Sequence, residues 1–125
     1  MTRIDRYLKP ALDFWNKQLQ DTADDHLPRQ YKGYVASFGT SIIHCGLLPA
    51  VFMFSGKSEN SDEDKSFITQ GVLAILKSEN PEISQNTLFD YVLFKKDTPA
   101  TVSRICDAVI ALKLALRTFK LSDHA

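Results

Sequence analysis

The stretch Tyr34-Val35-Ala36-Ser37-Phe38-Gly39-Thr40-Ser41-Ile42-Ile43-His44-Cys45-Gly46-Leu47-Leu48-Pro49-Ala50-Val51-Phe52-Met53-Phe54-Ser55 decides the fold. Tyr31, Tyr34, Val35, Phe38, Ile42 and Cys45 recur at the spacing of one helical face. Gly46 is a natural helix end, and Pro49 sits where the first turn of a following helix has no use for its missing amide hydrogen. The segment therefore reads as two helices meeting at a break, or as one long helix kinked there. It is built for packing and carries almost no catalytic chemistry.

The pattern continues outward in both directions. Upstream, Ile4, Tyr7, Leu8, Ala11, Leu12, Trp15 and Leu19 mark a helix over about Thr2 to Gln20, with Pro10 predicting a kink or a regular start near Lys9. A second helix should begin near Leu27, with Pro28 in its first turn. Downstream, Phe67, Ile68, Val72, Leu73, Ile75 and Leu76 make a nearly all-round apolar helix from about Glu63 to Ser78. A short helix follows from about Ser84 to Phe94, although its apolar run from Phe89 also suits a strand. Asp97-Thr98-Pro99 combines a cap with an early proline and opens a last helix reaching Lys120. No segment shows the sustained alternation of a half-buried strand. The expected fold is an all-α bundle of about five to six helices, a single domain over residues 1–125, with polar connections near 21–28, 56–63, 79–83 and 95–98.

A chain of 125 residues can bury enough surface to fold without disulfides, and its 44% hydrophobic and 24% charged composition is that of a globular protein. Fifteen basic and fifteen acidic side chains cancel, so any affinity for nucleic acid must come from charge segregated onto one face. Cys45 and Cys106 lie in apolar stretches and read as reduced core thiols. Residues 1–6 lack the apolar core of a secretion signal, and Ile42 to Phe54 is interrupted and too short to span a bilayer. A cytoplasmic protein without membrane contact is expected.

Catalytic signals are sparse. There is no glycine-rich phosphate loop, no histidine pair at i, i+4 and no Cys-x-x-Cys. His44 and Cys45 are neighbours on a helix and point about 100° apart, so a core thiol beside an interfacial imidazole is the preferred reading. Asp62, Glu63 and Asp64 read as a solvated helix cap rather than cation ligands. Trp15, Tyr31 and Tyr34 lie on apolar stripes, which favours packing over base stacking. No catalytic residue, metal ligand or cofactor is expected.

The basic residues are more suggestive. Arg3, Arg6 and Lys17 fall within one arc of the first helix, and Arg29 and Lys32 share the small side of the second with Gly33, Ala36 and Thr40. Lys113, Arg117 and Lys120 form an i, i+4, i+7 row. Such segregation suits a groove that tracks phosphates, since counterion release is indifferent to base identity. The candidate nucleic-acid contacts are Arg3, Arg6, Lys17, Arg29, Lys32, Lys57, Lys113 and Arg117.

The run Ser37-Phe38-Gly39-Thr40-x-Ile42-Ile43-x-x-Gly46-Leu47-Leu48-Pro49-Ala50-Val51-x-Met53-Phe54, followed at a distance by Leu112-Lys113-Leu114-Ala115-Leu116-Arg117-Thr118-Phe119, resembles the small subunit of type III-B (Cmr) CRISPR RNA-guided effector complexes. That resemblance implies a non-enzymatic protein of antiviral defence that stacks on copies of itself into a short filament. Its implied partners are the guide RNA, the target RNA and the backbone and large Cmr subunits. A rival from another class is a small helical adaptor with no nucleic-acid contact, docking protein through Leu47 to Phe54.

Overall fold

The structure is a computed structural model that describes residues 2–20, 26–55, 66–95 and 98–122. In chain order these form α1 (Arg3–Gln20), β1 (Leu27–Pro28), α2 (Gln30–Cys45), α3 (Leu47–Ser55), α4 (Ser66–Glu79), α5 (Leu88–Lys95), α6 (Pro99–Leu116) and β2 (Leu121–Ser122). The fold is all-α, as expected, with six helices among the described residues. The only strands there are the two-residue β1 and β2, which pair in parallel with Leu27 opposite Leu121 and Pro28 opposite Ser122.

Helix boundaries follow local chemistry. Thr2 and Asp5 cap α1 reciprocally: the Asp5 amide donates to Thr2 Oγ1 at 3.1 Å, and the Thr2 amide donates to Asp5 Oδ2 at 2.9 Å. Hydrogen bonding of the carboxylate to the Thr2 amide, and to the Thr2 side chain, holds the Asp5 pKa below its usual value. The helix runs unbroken from Arg3 through Pro10, so the later start expected near Lys9 is not found. Gly46 separates α2 from α3 with a φ of 94°, in the left-handed region that suits glycine, and its amide donates to the Ile42 carbonyl at 3.0 Å.

Further along, Thr98 caps α6 by accepting from the Thr101 amide, with Pro99 in the first turn. Thr87 does the same for α5 through the Asp90 amide, which moves the start of α5 from the expected Ser84 to Leu88. The last helix ends at Leu116 instead of Lys120, and the chain turns there into β2. The start near Glu63, with the acidic cap around it, lies outside the described residues.

Helix α6 is the centre of the bundle. On one side it carries α1, which runs in the same direction, since Arg3 meets Ser103 and Asp107 while Trp15 meets Leu112. On the other side α2 packs antiparallel, and Val109 Cγ1 comes within 3.5 Å of where a Cβ on Gly39 would stand. Helix α4 lies against both α1 and α6, and α3 and α5 close the far end against α2 and α4. Trp15 is fully buried, with its ring against Phe14, Tyr31 and Phe67 and its indole N–H donating to the Leu112 carbonyl at 3.0 Å.

The buried face of α1 differs from the expected stripe. Tyr7, Ala11, Phe14 and Trp15 are buried, whereas Ile4, Leu8, Leu12 and Leu19 are only partly covered. The face has turned toward Arg3 because Phe14 enters a notch above Gly71 on α4, where an added Cβ would lie 2.8 Å from Phe14 Cε2. This explains a glycine inside a buried helix. Gly71→Ala is expected to lose roughly 1 kcal/mol of stability in urea denaturation, because overpacking outweighs the gain in helix propensity. Phe14→Leu in the same background should recover part of it; a more stable Gly71→Ala protein would contradict the packing.

Candidate nucleic-acid interface

The basic residues sort into two places. The first is the seam between the start of α2 and the end of α6, fixed by the β1–β2 bridge, where the Leu27 amide donates to the Lys120 carbonyl at 3.0 Å. That bridge brings residues after Pro28 beside residues 117–121. Lys32, Lys113 and Arg117 line one cleft of about 170 Å³ over Leu116, Phe119 and Leu121. Arg29 is exposed at the N-cap of α2, one turn before Lys32. Among the described residues, no carboxylate lies within ion-pairing distance of Lys32, Lys113 or Arg117.

Helical rows alone do not assemble this cleft. Lys113 and Arg117 are neighbours at i, i+4, but Lys32 arrives from a distant part of the chain, and Lys120 lies beyond the helix on the strand approach. Lys120 was not among the expected contacts. The helix ends before it, so the row of Lys113 and Arg117 does not extend to Lys120, whose carbonyl serves the bridge while its side chain does not line the cleft.

The second group is on α1. Arg3 Nη1 donates to Asp107 Oδ2 at 3.0 Å and to Ser103 Oγ at 3.1 Å, and Arg6 Nε lies 3.4 Å from Glu79 Oε1. Both arginines thus face carboxylates of α6 and α4. Lys17 is exposed near the far end of α1, and Lys57 lies outside the described residues. The eight expected contacts therefore do not form one surface: Lys32, Lys113 and Arg117 come together, and Arg3 and Arg6 are separately compensated.

Other candidates resolve more simply. Trp15 is core, and Tyr31 and Tyr34 are half-buried against Phe67, with the Tyr31 and Phe67 ring centres 4.1 Å apart. Cys45 is exposed rather than a core thiol, because α2 ends there and its buried stripe stops at Ile42. Cys106 is half-buried between α2 and α6, and burial, with Asp107 beside it, raises its thiol pKa. His44 is also exposed. Among the described residues, no three His, Cys, Asp or Glu side chains gather to hold a metal, and no helix is long and apolar enough to cross a membrane.

A family model described as CRISPR-associated protein (Cas_Cmr5) matches residues 9–118. The chain belongs to the Cas_Cmr5 family. Neither a curated protein nor a solved structure matches it. The matched span contains all of α2 and α6, and so the three cations of the cleft in this Cas_Cmr5 protein, while Arg3 and Arg6 precede it.

The two basic groups should respond oppositely to charge reversal. Lys32→Glu removes like-charge crowding and is expected to leave stability unchanged or raise it by up to about 0.5 kcal/mol. Arg3→Glu sets a carboxylate against half-buried Asp107 and should cost about 1 kcal/mol. Chemical denaturation of the two variants at low salt checks the contrast; equal losses would mean that the cleft cations hold the fold.

Proposed function

We propose that this Cas_Cmr5 protein is the non-catalytic small subunit of a type III-B RNA-guided effector complex in the cytoplasm. In this reading it stacks with copies of itself into a short filament and supports guide and target RNA by backbone contacts, in antiviral defence. The observation that carries it is the convergence of Lys32, Lys113 and Arg117 on one cleft where, among the described residues, no carboxylate pairs with them. A folded chain of zero net charge that leaves cations crowded at one seam has a place for an anion from outside.

The chemistry of the cleft suits a polymer of phosphates. Two lysines act as point charges, and Arg117 offers a planar fork to a pair of phosphate oxygens. None of these groups reads a base edge from such a position, so sequence recognition is left to pairing between guide and target. Among the described residues the cleft is lined by cations and apolar side chains, which suits contact with a phosphate.

Contacts with other subunits or with further copies have apolar side chains to draw on. Within Leu47–Ser55, Leu47, Ala50, Val51 and Phe54 face the core, but Phe52 is 70% exposed and Met53 is exposed with it. Phe94 on α5 is 67% exposed, and Phe52 packs on Phe89 with ring centres 5.9 Å apart. This surface also favours the rival adaptor reading, in which protein docks here and the basic cleft is idle.

RNA binding by the assembled complex separates the readings. Lys32→Glu combined with Arg117→Glu is expected to weaken binding at low salt and to flatten the plot of log affinity against log salt by about one to two units, since each phosphate contact contributes a slope near 0.7–0.9. Unchanged affinity and slope would remove the cleft from the RNA path. If Phe52→Glu then disrupted assembly, the adaptor reading would stand.

A further inference from the structure

The arginines of α1 lead to a different cleft. Arg3 and Arg6 meet Arg104 of α6 at a hollow of about 310 Å³ that also includes Asn80, Tyr7 and Tyr91. Its floor is fixed, since Tyr7 and Tyr91 are almost wholly buried, with 3% and 4% of their surface exposed. Neither ring can stack on a base. What the two residues present to the hollow is only a small part of their surface. The Tyr7 phenol lies within the field of Arg3, Glu79, Arg104 and Asp107, and burial, its largest influence, raises its pKa, so it keeps its proton as a donor.

The charges do not balance. Arg3 is matched by Asp107 and Arg6 by Glu79, which leaves the Arg104 guanidinium as the one positive charge in excess among these five groups. Arg104 is exposed, and among the described residues no carboxylate lies within ion-pairing distance of it. Arg3 uses only Nη1 for Asp107 and Ser103, so Nε and Nη2 keep unassigned donors. Its paired carboxylate holds the fork in place before any ligand arrives, which lowers the ordering cost of binding.

We propose that this hollow between α1, α4 and α6 binds a phosphate group, held by Arg104 and the free edge of Arg3 with Arg6 and Asn80 at its rim. Guanidiniums approaching from two helices suit a tetrahedral anion with several acceptor oxygens. Glu79 is the competitor for Arg6. The phosphate comes from a nucleic-acid backbone or from a free phosphate or nucleotide, and the test distinguishes these. The site goes beyond the proposed RNA contact at Lys32 and Arg117, and neither requires the other.

The experiment follows backbone amide and arginine Nε–H NMR signals of the whole chain during titration with inorganic phosphate, with a nucleoside monophosphate and with a short RNA, using acetate as the control anion. Phosphate is expected to shift the Arg3, Arg104 and Tyr91 signals saturably in the millimolar range, and acetate to leave them in place. Arg104→Ala should weaken phosphate binding about tenfold, and Glu79→Gln should strengthen it, with thermal unfolding confirming that both variants fold. Shifts with RNA as well as phosphate identify a backbone source; shifts with phosphate and monophosphate alone identify a free one. No shift at these residues, or an equal response to acetate, overturns the site. RNA shifts confined to the Lys32–Arg117 cleft, without a phosphate response here, overturn it and leave the RNA proposal intact.

Discussion

The deepest anchor of helix α1 on α6 is one side chain. Trp15 is completely enclosed, and its indole N–H reaches the Leu112 carbonyl, so the largest side chain in the core also has its polar atom satisfied. Burial of a tryptophan at such a site contributes about 3–5 kcal/mol as judged by truncation, a large share of the roughly 5–15 kcal/mol that holds a small domain together. Around it, Phe14 locks into the Gly71 notch, and Tyr31 and Phe67 tie α2 and α4 to the same cluster. The axis and rotation of α1 are set there, and with them the position of its arginines.

That placement separates charges used for structure from charges left over. The α1 arginines fall over the end of α4 and the middle of α6, where Glu79 and Asp107 meet them. At the other seam no acid arrives among the described residues, and Lys32, Lys113 and Arg117 share one cleft with apolar side chains. A net charge of zero thus conceals an uneven distribution. Partly buried ion pairs at one end and unmatched cations at the other are different physical objects, even though both consist of basic residues on helix surfaces.

Much of the fold was legible in the sequence because helices declare themselves locally. The spacing of Val35, Phe38 and Ile42, the break at Gly46 and the Thr98-Pro99 cap all act within a few residues of where they are read. The turned face of α1 was not legible, because Phe14 becomes core only through a glycine on another helix. The end of α6 at Leu116 was missed because a distant strand pairing overrode an apolar pattern that continues to Phe119, and the start of α5 at Leu88 because Thr87 rather than Ser84 supplies the cap. At the site, the charge on each basic residue was visible but its partner was not. Arg3 and Lys32 look alike in sequence; Asp107 sits beside the former, and among the described residues no acid joins the latter.

The two-residue bridge between β1 and β2 also has a kinetic meaning. Leu27 can pair with Leu121 only once α6, the last of the described helices, has been made. During synthesis the earlier helices must therefore remain without their central support, with α1 and α2 both exposing the faces that α6 will cover. The fold closes in a late step that joins distant parts of the chain. The same closure creates the basic seam, so the cleft exists only once α6 and β2 have joined β1 and α2.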